Sequence, residues 1–257
     1  MSKLKNLILS TVLIASATFI QSCSDDENIE YITEIGTVSY ISNNESEQTQ
    51  VNGDYNGLSN IINKNALKYA QSDSVGQRIL YTYIIEADNK SAALPQNAKQ
   101  SIKIYDIYKV LTKKMDTYNP DTQTDNFGND NISINWMYIS SAHLNIQFTI
   151  RRSSSSIAHR ISLVALEGSK PDENGVLHLE LRHNKFNDDP YINNIGYVSY
   201  TLESIPGYKD GTLKKLIITC KNSDSITESH EIVVNKDSSK GTMQKINSDE
   251  NSSLFYK

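Results

Sequence analysis

The chain has 257 residues, a formal net charge of −5 and 38% hydrophobic residues. That suffices for one large or two small domains with real cores, and it is not the composition of a disordered polyelectrolyte or a membrane-embedded bundle. The acidic balance lacks the clustered Lys and Arg that phosphate neutralisation needs, so no nucleic-acid partner is expected. Two cysteines can build neither a disulfide framework nor a cysteine-rich zinc site, while 15 Tyr beside abundant Ile, Val and Thr favour sheet.

In chain order, residues 1–22 have the pattern of a secretory signal. Lys3 and Lys5 form a basic start, and Leu7 to Ile20 an apolar run too short for a comfortable bilayer span. The run ends in Ile20-Gln21-Ser22-Cys23, which resembles a lipobox, with Ile20 in place of the commoner Leu. The competing readings are an ordinary cleaved signal with an incidental Cys23 and an uncleaved anchor. Acyl chains on Cys23 would hold the protein to a membrane at about 0.8 kcal/mol per buried methylene. Residues 23–30 form an acidic tether. Ser24-Asp25-Asp26-Glu27-Asn28 looks like the sorting signal of some surface-displayed Gram-negative lipoproteins, and Ser24 fits outer-membrane placement. A surface location is expected, with the periplasmic face as the alternative.

A first block spans residues 31–111. It opens with a strand-like stretch, Ile32 to Ile41, followed by a polar loop from Ser42 to Asn56. Leu58 to Ala70 has the spacing of a short amphipathic helix, although Asn60, Asn63 and Asn65 are poor helix formers. Ile79 to Ile85 and Ile102 to Val110 read as strands, and the set suits a small barrel. Residues 112–131 are rich in turn formers and read as a linker. A second block, residues 132–236, carries strands at Leu144 to Ile150, Ile157 to Leu166, Val176 to His183, Ile195 to Leu202, Leu213 to Cys220 and His230 to Val234. Turn signals lie between them, as in an antiparallel β-sandwich. Residues 237–257 lack periodicity and read as a flexible tail.

Within the second block, the stretch Leu179 to Pro190, which contains Arg182-His183-Asn184 and then Asn187-Asp188-Asp189, resembles the signature of NigD-like lipoproteins. Gly196 to Leu202 and Trp136 to Phe148 resemble further family stretches, as does Gly76-Gln77-Arg78-Ile79-Leu80 with Tyr83 in the first block. The resemblance runs over roughly Ile32 to Val234. It implies an all-β chain, a small OB-like barrel followed by a β-sandwich, in a family of envelope lipoproteins without an established biochemical activity.

Signatures of catalysis are missing from the sequence: no nucleophile elbow, phosphate-binding Gly loop or Cys-x-x-Cys. His230-Glu231 starts like a zinc-protease helix, but Val234 stands where the second His belongs and the surroundings are strand-like. The best polar cluster is His178, Arg182, His183, Asn184, Asp188 and Asp189. A buried hydrogen-bond network holding a loop is the favoured reading, against a metal site or a ligand contact; adjacent carboxylates on one turn seldom serve as a general acid/base pair. His159 is in phase with Ile157 and Ile161 and reads as a satisfied inward histidine. Tyr81 and Tyr83 share a strand face, where they pack in the core or line an OB-type groove that stacks on sugars. Cys220 reads as a buried structural thiol. The oxygen-rich loop Asp125 to Asp130 lacks the ligand spacing of a calcium loop. No metal or cofactor is implied. The expectation is a non-enzymatic, lipid-anchored module whose partners are the outer membrane and an envelope protein or a glycan. A bacteriocin-associated immunity or accessory role is the alternative, and an envelope-polymer hydrolase the least favoured reading.

Overall fold

A computed structural model describes residues 30–42, 49–86, 98, 100–140, 142–153, 157–189, 191–224, 226–235 and 242–244. The leader, Cys23 and most of the acidic tether lie outside these residues. No helix among the described residues is long and apolar enough to cross a membrane.

Period-two alternation in the first block closes on itself. Strands β1 (Ile32–Tyr40), β2 (Thr49–Gly53), β3 (Gly57–Ile61), β4 (Arg78–Ile85) and β5 (Gln100–Lys109) form a closed barrel in the order β1-β2-β3-β5-β4. Helix α1 (Asn65–Tyr69) lies in sequence between β3 and β4, and the whole is the five-stranded barrel of the OB fold. Val38, Val51, Ile79, Tyr81, Tyr83 and Ile102 fill its interior together with Leu67 of α1.

Two expectations fail here for one reason. The stretch read as a loop, Ser42 to Asn56, contains β2, and the stretch read as a helix, Leu58 to Ala70, starts as β3 and turns helical only from Asn65. The asparagines that weaken a helix instead support strands. The Asn60 side chain accepts a hydrogen bond from Gln50 at 3.0 Å across the β2–β3 pair. Beyond the end of β3, the Asn63 amide bonds both backbone groups of Ile104, donating to its carbonyl at 2.7 Å and accepting from its N–H at 2.9 Å. A side chain thus continues the ladder where the backbone leaves it.

The second block forms two five-stranded sheets, ordered β14-β13-β11-β10-β7 and β15-β8-β9-β12-β6. Their strands are β6 (Leu111–Lys113), β7 (Asp116–Tyr118), β8 (Ser133–Ile139), β9 (His143–Arg152), β10 (Arg160–Leu166), β11 (Val176–Asn184), β12 (Ile192–Thr201), β13 (Lys215–Ser223), β14 (Ile226–Val233) and β15 (Thr242–Gln244). The alternating residues Leu144, Ile146 and Phe148 of β9 share one core with Leu177, Leu179 and Leu181 of β11. Each side chain of this size contributes about 1.5–3 kcal/mol when fully buried. Most pairs are antiparallel, but β6 joins β12, β7 joins β10 and β13 joins β11 in parallel.

Part of the expected linker is therefore structural: residues 111–118 supply β6 to one sheet and β7 to the other. The stretch read as a tail also contributes an edge strand, β15, paired with Met137 to Ile139 of β8. Short polar strands of this kind are stabilised through the backbone ladder, so they leave no hydrophobic alternation to read.

Candidate functional site

The barrel meets the sandwich around one arginine. Arg78 opens β4 and is 1% exposed. Its guanidinium grips Asp54, from the β2–β3 turn, with Nη1 to Oδ1 at 2.8 Å and Nη2 to Oδ2 at 2.5 Å. The remaining donors reach Thr37 of the barrel at 3.0 Å and cross the junction to Asn145 of β9 at 2.7 Å and Ser199 of β12 at 3.5 Å. From the sandwich side, the Tyr138 hydroxyl donates to Asp54 at 2.8 Å, and burial followed by the Asp54 charge pushes that phenol well above its usual range. Ile35, Leu80 and Val110 form a small apolar cluster packed against Trp136 and Tyr197 beside this network. Arg78 was part of the Gly-Gln-Arg resemblance, but the sequence did not reveal that it joins the two domains.

The second polar centre lies at the end of β10 and β11. His183 Nδ1 is 2.9 Å from the carbonyl oxygen of Asn131, so that nitrogen carries the proton. His183 Nε2 is 2.8 Å from His159 Nδ1, and His159 Nε2 is 2.9 Å from Asp188 Oδ2. Burial holds the His183 pKa below its ordinary value, which favours the neutral ring. His159 thus bridges the second nitrogen of His183 and the Asp188 carboxylate. The Ser153 hydroxyl and backbone N–H both donate to Asp188. The hydroxyl contact first, then the amide, and then His159 hold that carboxyl down at about 2. Both side chains of the His159–Asp188 pair are almost completely buried.

Ser, His and Asp side chains meet here, but in the wrong order for nucleophilic catalysis. A hydroxyl is activated when histidine takes its proton and the carboxylate orients that histidine. In this row Ser153 donates to the carboxylate, and among the described residues no histidine hydrogen-bonds its oxygen. The arrangement ties the start of the loop after β9 to the turn after β11.

The sequence-derived cluster therefore divides. His183 and Asp188 enter the buried row. Arg182 and Asn184 point to the other side and clamp the loop over residues 125–130: Arg182 donates to the Gly128 carbonyl at 2.9 Å and to Asp125 at 2.8 Å, and Asn184 donates to the Asn126 carbonyl at 2.9 Å. Asp189 is exposed and stands apart. His159 was read as an inward histidine, while Ser153, which donates to Asp188, and Asn131, which accepts from His183, were missed because only the folded chain brings them together.

Tyr81 and Tyr83 do not line a groove. They are 1% and 0% exposed, stack at 5.1 Å inside the barrel, and donate their hydroxyls to Glu34 at 3.1 and 2.8 Å. The OB-groove reading fails because the barrel interior, rather than its outer face, takes the side of β4 that carries Ile79, Tyr81 and Tyr83. Glu34 was not singled out from the sequence, since an isolated carboxylate in a strand gives no signal of its partners.

A protruding ribbon was missed as well. β6 pairs only with Val198 to Tyr200 of β12. Among the described residues, the same edge of β12 from Ile192 to Tyr197 has no strand beside it, while β9 covers the other edge. Tyr191, Ile192 and Ile195 are all more than half exposed there, next to Arg151 of β9.

An OB-type barrel docked on a β-sandwich through the hydrogen bonds of a buried ion pair defines the class of protein. Residues 114–234 match the family model of the NigD-like C-terminal beta sandwich domain, so this stretch of the chain is a NigD-like sandwich domain. The match starts within the expected linker, just ahead of β7.

Several solved structures share the fold. A protein of unknown function from Bacteroides vulgatus aligns with a TM-score of 0.63 at 21% identity, over 80% of this chain and 92% of that one. A protein described as toxin-related from Parabacteroides distasonis aligns at 0.61 and 24%, over 81% and 95%. A NigD-like immunity protein from Bacteroides caccae aligns at 0.50 and 14%, over 80% and 98%. No curated protein matches the chain.

Proposed function

We propose that the chain is a non-catalytic binding module, lipid-anchored at the outer membrane through Cys23, that captures an envelope protein by adding a partner strand to the open edge of β12. The ribbon from Tyr191 to Ile195 carries this reading. It combines backbone groups unpaired among the described residues with exposed aromatic and aliphatic side chains beside an arginine, the mix that protein interfaces favour. The buried state of Tyr81 and Tyr83 removes the pair that best suited a sugar ring, which weighs toward a protein over a glycan. The lipobox and acidic tether support the anchor and its display on the surface.

A second reading, immunity or accessory function against a bacteriocin, draws on the fold shared with a structure described as an immunity protein. It names a particular partner for the same module.

The test is cross-linking of the lipidated chain in intact cells, followed by capture and mass spectrometry, beside an Ile195→Asp variant. One stoichiometric envelope partner is expected, cross-linked near β12 and lost in the variant. Recovery of a partner equally with both chains, or of none with either, overturns the reading. A bacteriocin or its carrier among the captured proteins favours the immunity role.

A further inference from the structure

The geometry points to a zinc-class metal site formed by Cys220, Glu228 and His230 on the β13–β14 hairpin. Cys220 stands directly opposite Glu228, and Ile218 opposite His230, so all three candidate ligands lie on the face of the hairpin that turns toward the sandwich core. One ligand atom from each lies within 4.8 Å of the other two. Around an ion at about 2.0–2.3 Å from each donor, that spacing closes with a side-chain adjustment of an ångström or less.

The second observation is the state of His230. The residue is 8% exposed, yet its Nε2 makes no hydrogen bond among the described residues. It sits 3.5 Å from Glu228 Oε2, close enough for attraction and outside hydrogen-bonding geometry. A buried ring nitrogen without a partner costs free energy unless something satisfies it, and its lone pair is the donor that a metal takes. The rest of the arrangement prepares the other two ligands. Asn222 donates to Glu228 Oε1, which leaves Oε2 turned to the site, and Asn222 in turn accepts from Ser133 of β8. The backbone N–H of Ile134 donates to the Cys220 sulfur. Such outer contacts orient ligands and favour the charged thiolate.

The donor set selects the ion. Thiolate, imidazole and carboxylate together suit Zn²⁺ over the hard cations Mg²⁺ and Ca²⁺, which prefer all-oxygen shells. Three protein ligands leave one tetrahedral position for water. Cys220 ligates as the thiolate, so binding releases its proton. The site is distinct from the His159 row, whose nitrogens and oxygens lie end to end at hydrogen-bond distances and leave no room for an ion between them.

The experiment titrates the purified full-length chain with Zn²⁺ alone and, in parallel, with Co²⁺ as a spectroscopic stand-in. One equivalent of zinc is expected to bind, release a proton and raise Tm. Cobalt should give a thiolate-to-metal charge-transfer band that disappears in Cys220→Ser, where Cys23 remains. His230→Gln, close to the same shape, should abolish zinc binding while circular dichroism stays unchanged. Asn222→Ala should weaken binding about 10–100-fold. Zinc binding that survives Cys220→Ser and His230→Gln, or no binding to the wild-type chain at micromolar zinc, overturns the proposal.

Discussion

Glu34 shows how one side chain can organise an element. Its carboxylate is 4% exposed and accepts from both tyrosine hydroxyls inside the barrel. It also accepts from the backbone N–H groups of Tyr55 and Asn56 at 3.0 and 3.2 Å, fixing the β2–β3 turn. Glu34→Ala should leave both buried phenols without an acceptor, although Tyr83 keeps the hydrogen bond it accepts from Asn56, at about 1–3 kcal/mol each, read as a lower midpoint in urea; a loss under about 1 kcal/mol would mean that water takes the place of the carboxylate. Protonation offers a second test at this scale. Burial, and then the Arg78 charge, lowers the pKa of His143 from 6.5 to about 4. A group whose pKa falls on folding contributes stability that is complete above the unfolded value and lost as pH drops. Tm should therefore decline from pH 6.5 towards about 4 as His143 takes up its proton, and again from 3.8 towards about 2 as Asp188 does. His143→Gln should reduce the upper step, which His183 and His230 share because burial lowers their pKa too, and leave the lower one, as Tm measured across this range would show; an unchanged upper step would rule out His143 as a contributor.

Among the elements, the loop over residues 125–130 depends on Gly128. Its φ is +74°, and a Cβ there would lie 2.6 Å from both the Cα of Asn184 and the carbonyl oxygen of His183. Gly128→Ala should cost about 1–3 kcal/mol and release the clamp formed by Arg182 and Asn184, visible as a lower Tm and faster proteolysis within the loop. An unaltered Tm would show that this backbone can shift at little cost. The same loop illustrates what the sequence could reveal. Strands such as β4, β9 and β11 were legible because alternating apolar residues face a core. β2, β6, β7 and β15 were not, because they are short; β2 lies between β1 and β3 in a polar stretch, and β6, β7 and β15 owe their place to backbone pairing with strands distant in the chain. The site follows the same rule. His183 and Asp188 are close in sequence and were grouped, while Ser153, Asn131 and His159 approach them only after the sheets have formed. Cys220 and His230 were noticed separately, and only the hairpin register makes them neighbours of Glu228.

For the whole molecule, the central question is whether barrel and sandwich unfold as one body. Interfaces between domains of one chain are often polar and allow relative motion. This one contains the Arg78–Asp54 ion pair, with exposures of 1% and 6%, whose hydrogen bonds reach Asn145, Ser199 and Tyr138 of the sandwich. Its energetic weight lies in the penalty of breaking it. Removing one partner of a buried pair strands the other charge and costs about 3–5 kcal/mol, whereas replacing both by apolar groups is often close to neutral. Arg78→Met alone should therefore leave Asp54 uncompensated and split thermal unfolding into two transitions, one for each domain. The double variant Arg78→Met with Asp54→Leu should recover much of the loss, although Tyr138 then lacks its acceptor. Calorimetry of the three chains decides the matter. A wild-type chain that already unfolds in two steps, or an Arg78→Met chain that keeps one transition at the wild-type Tm, would show that the apolar cluster of Ile35, Leu80 and Val110 with Trp136 and Tyr197 couples the domains without the ion pair.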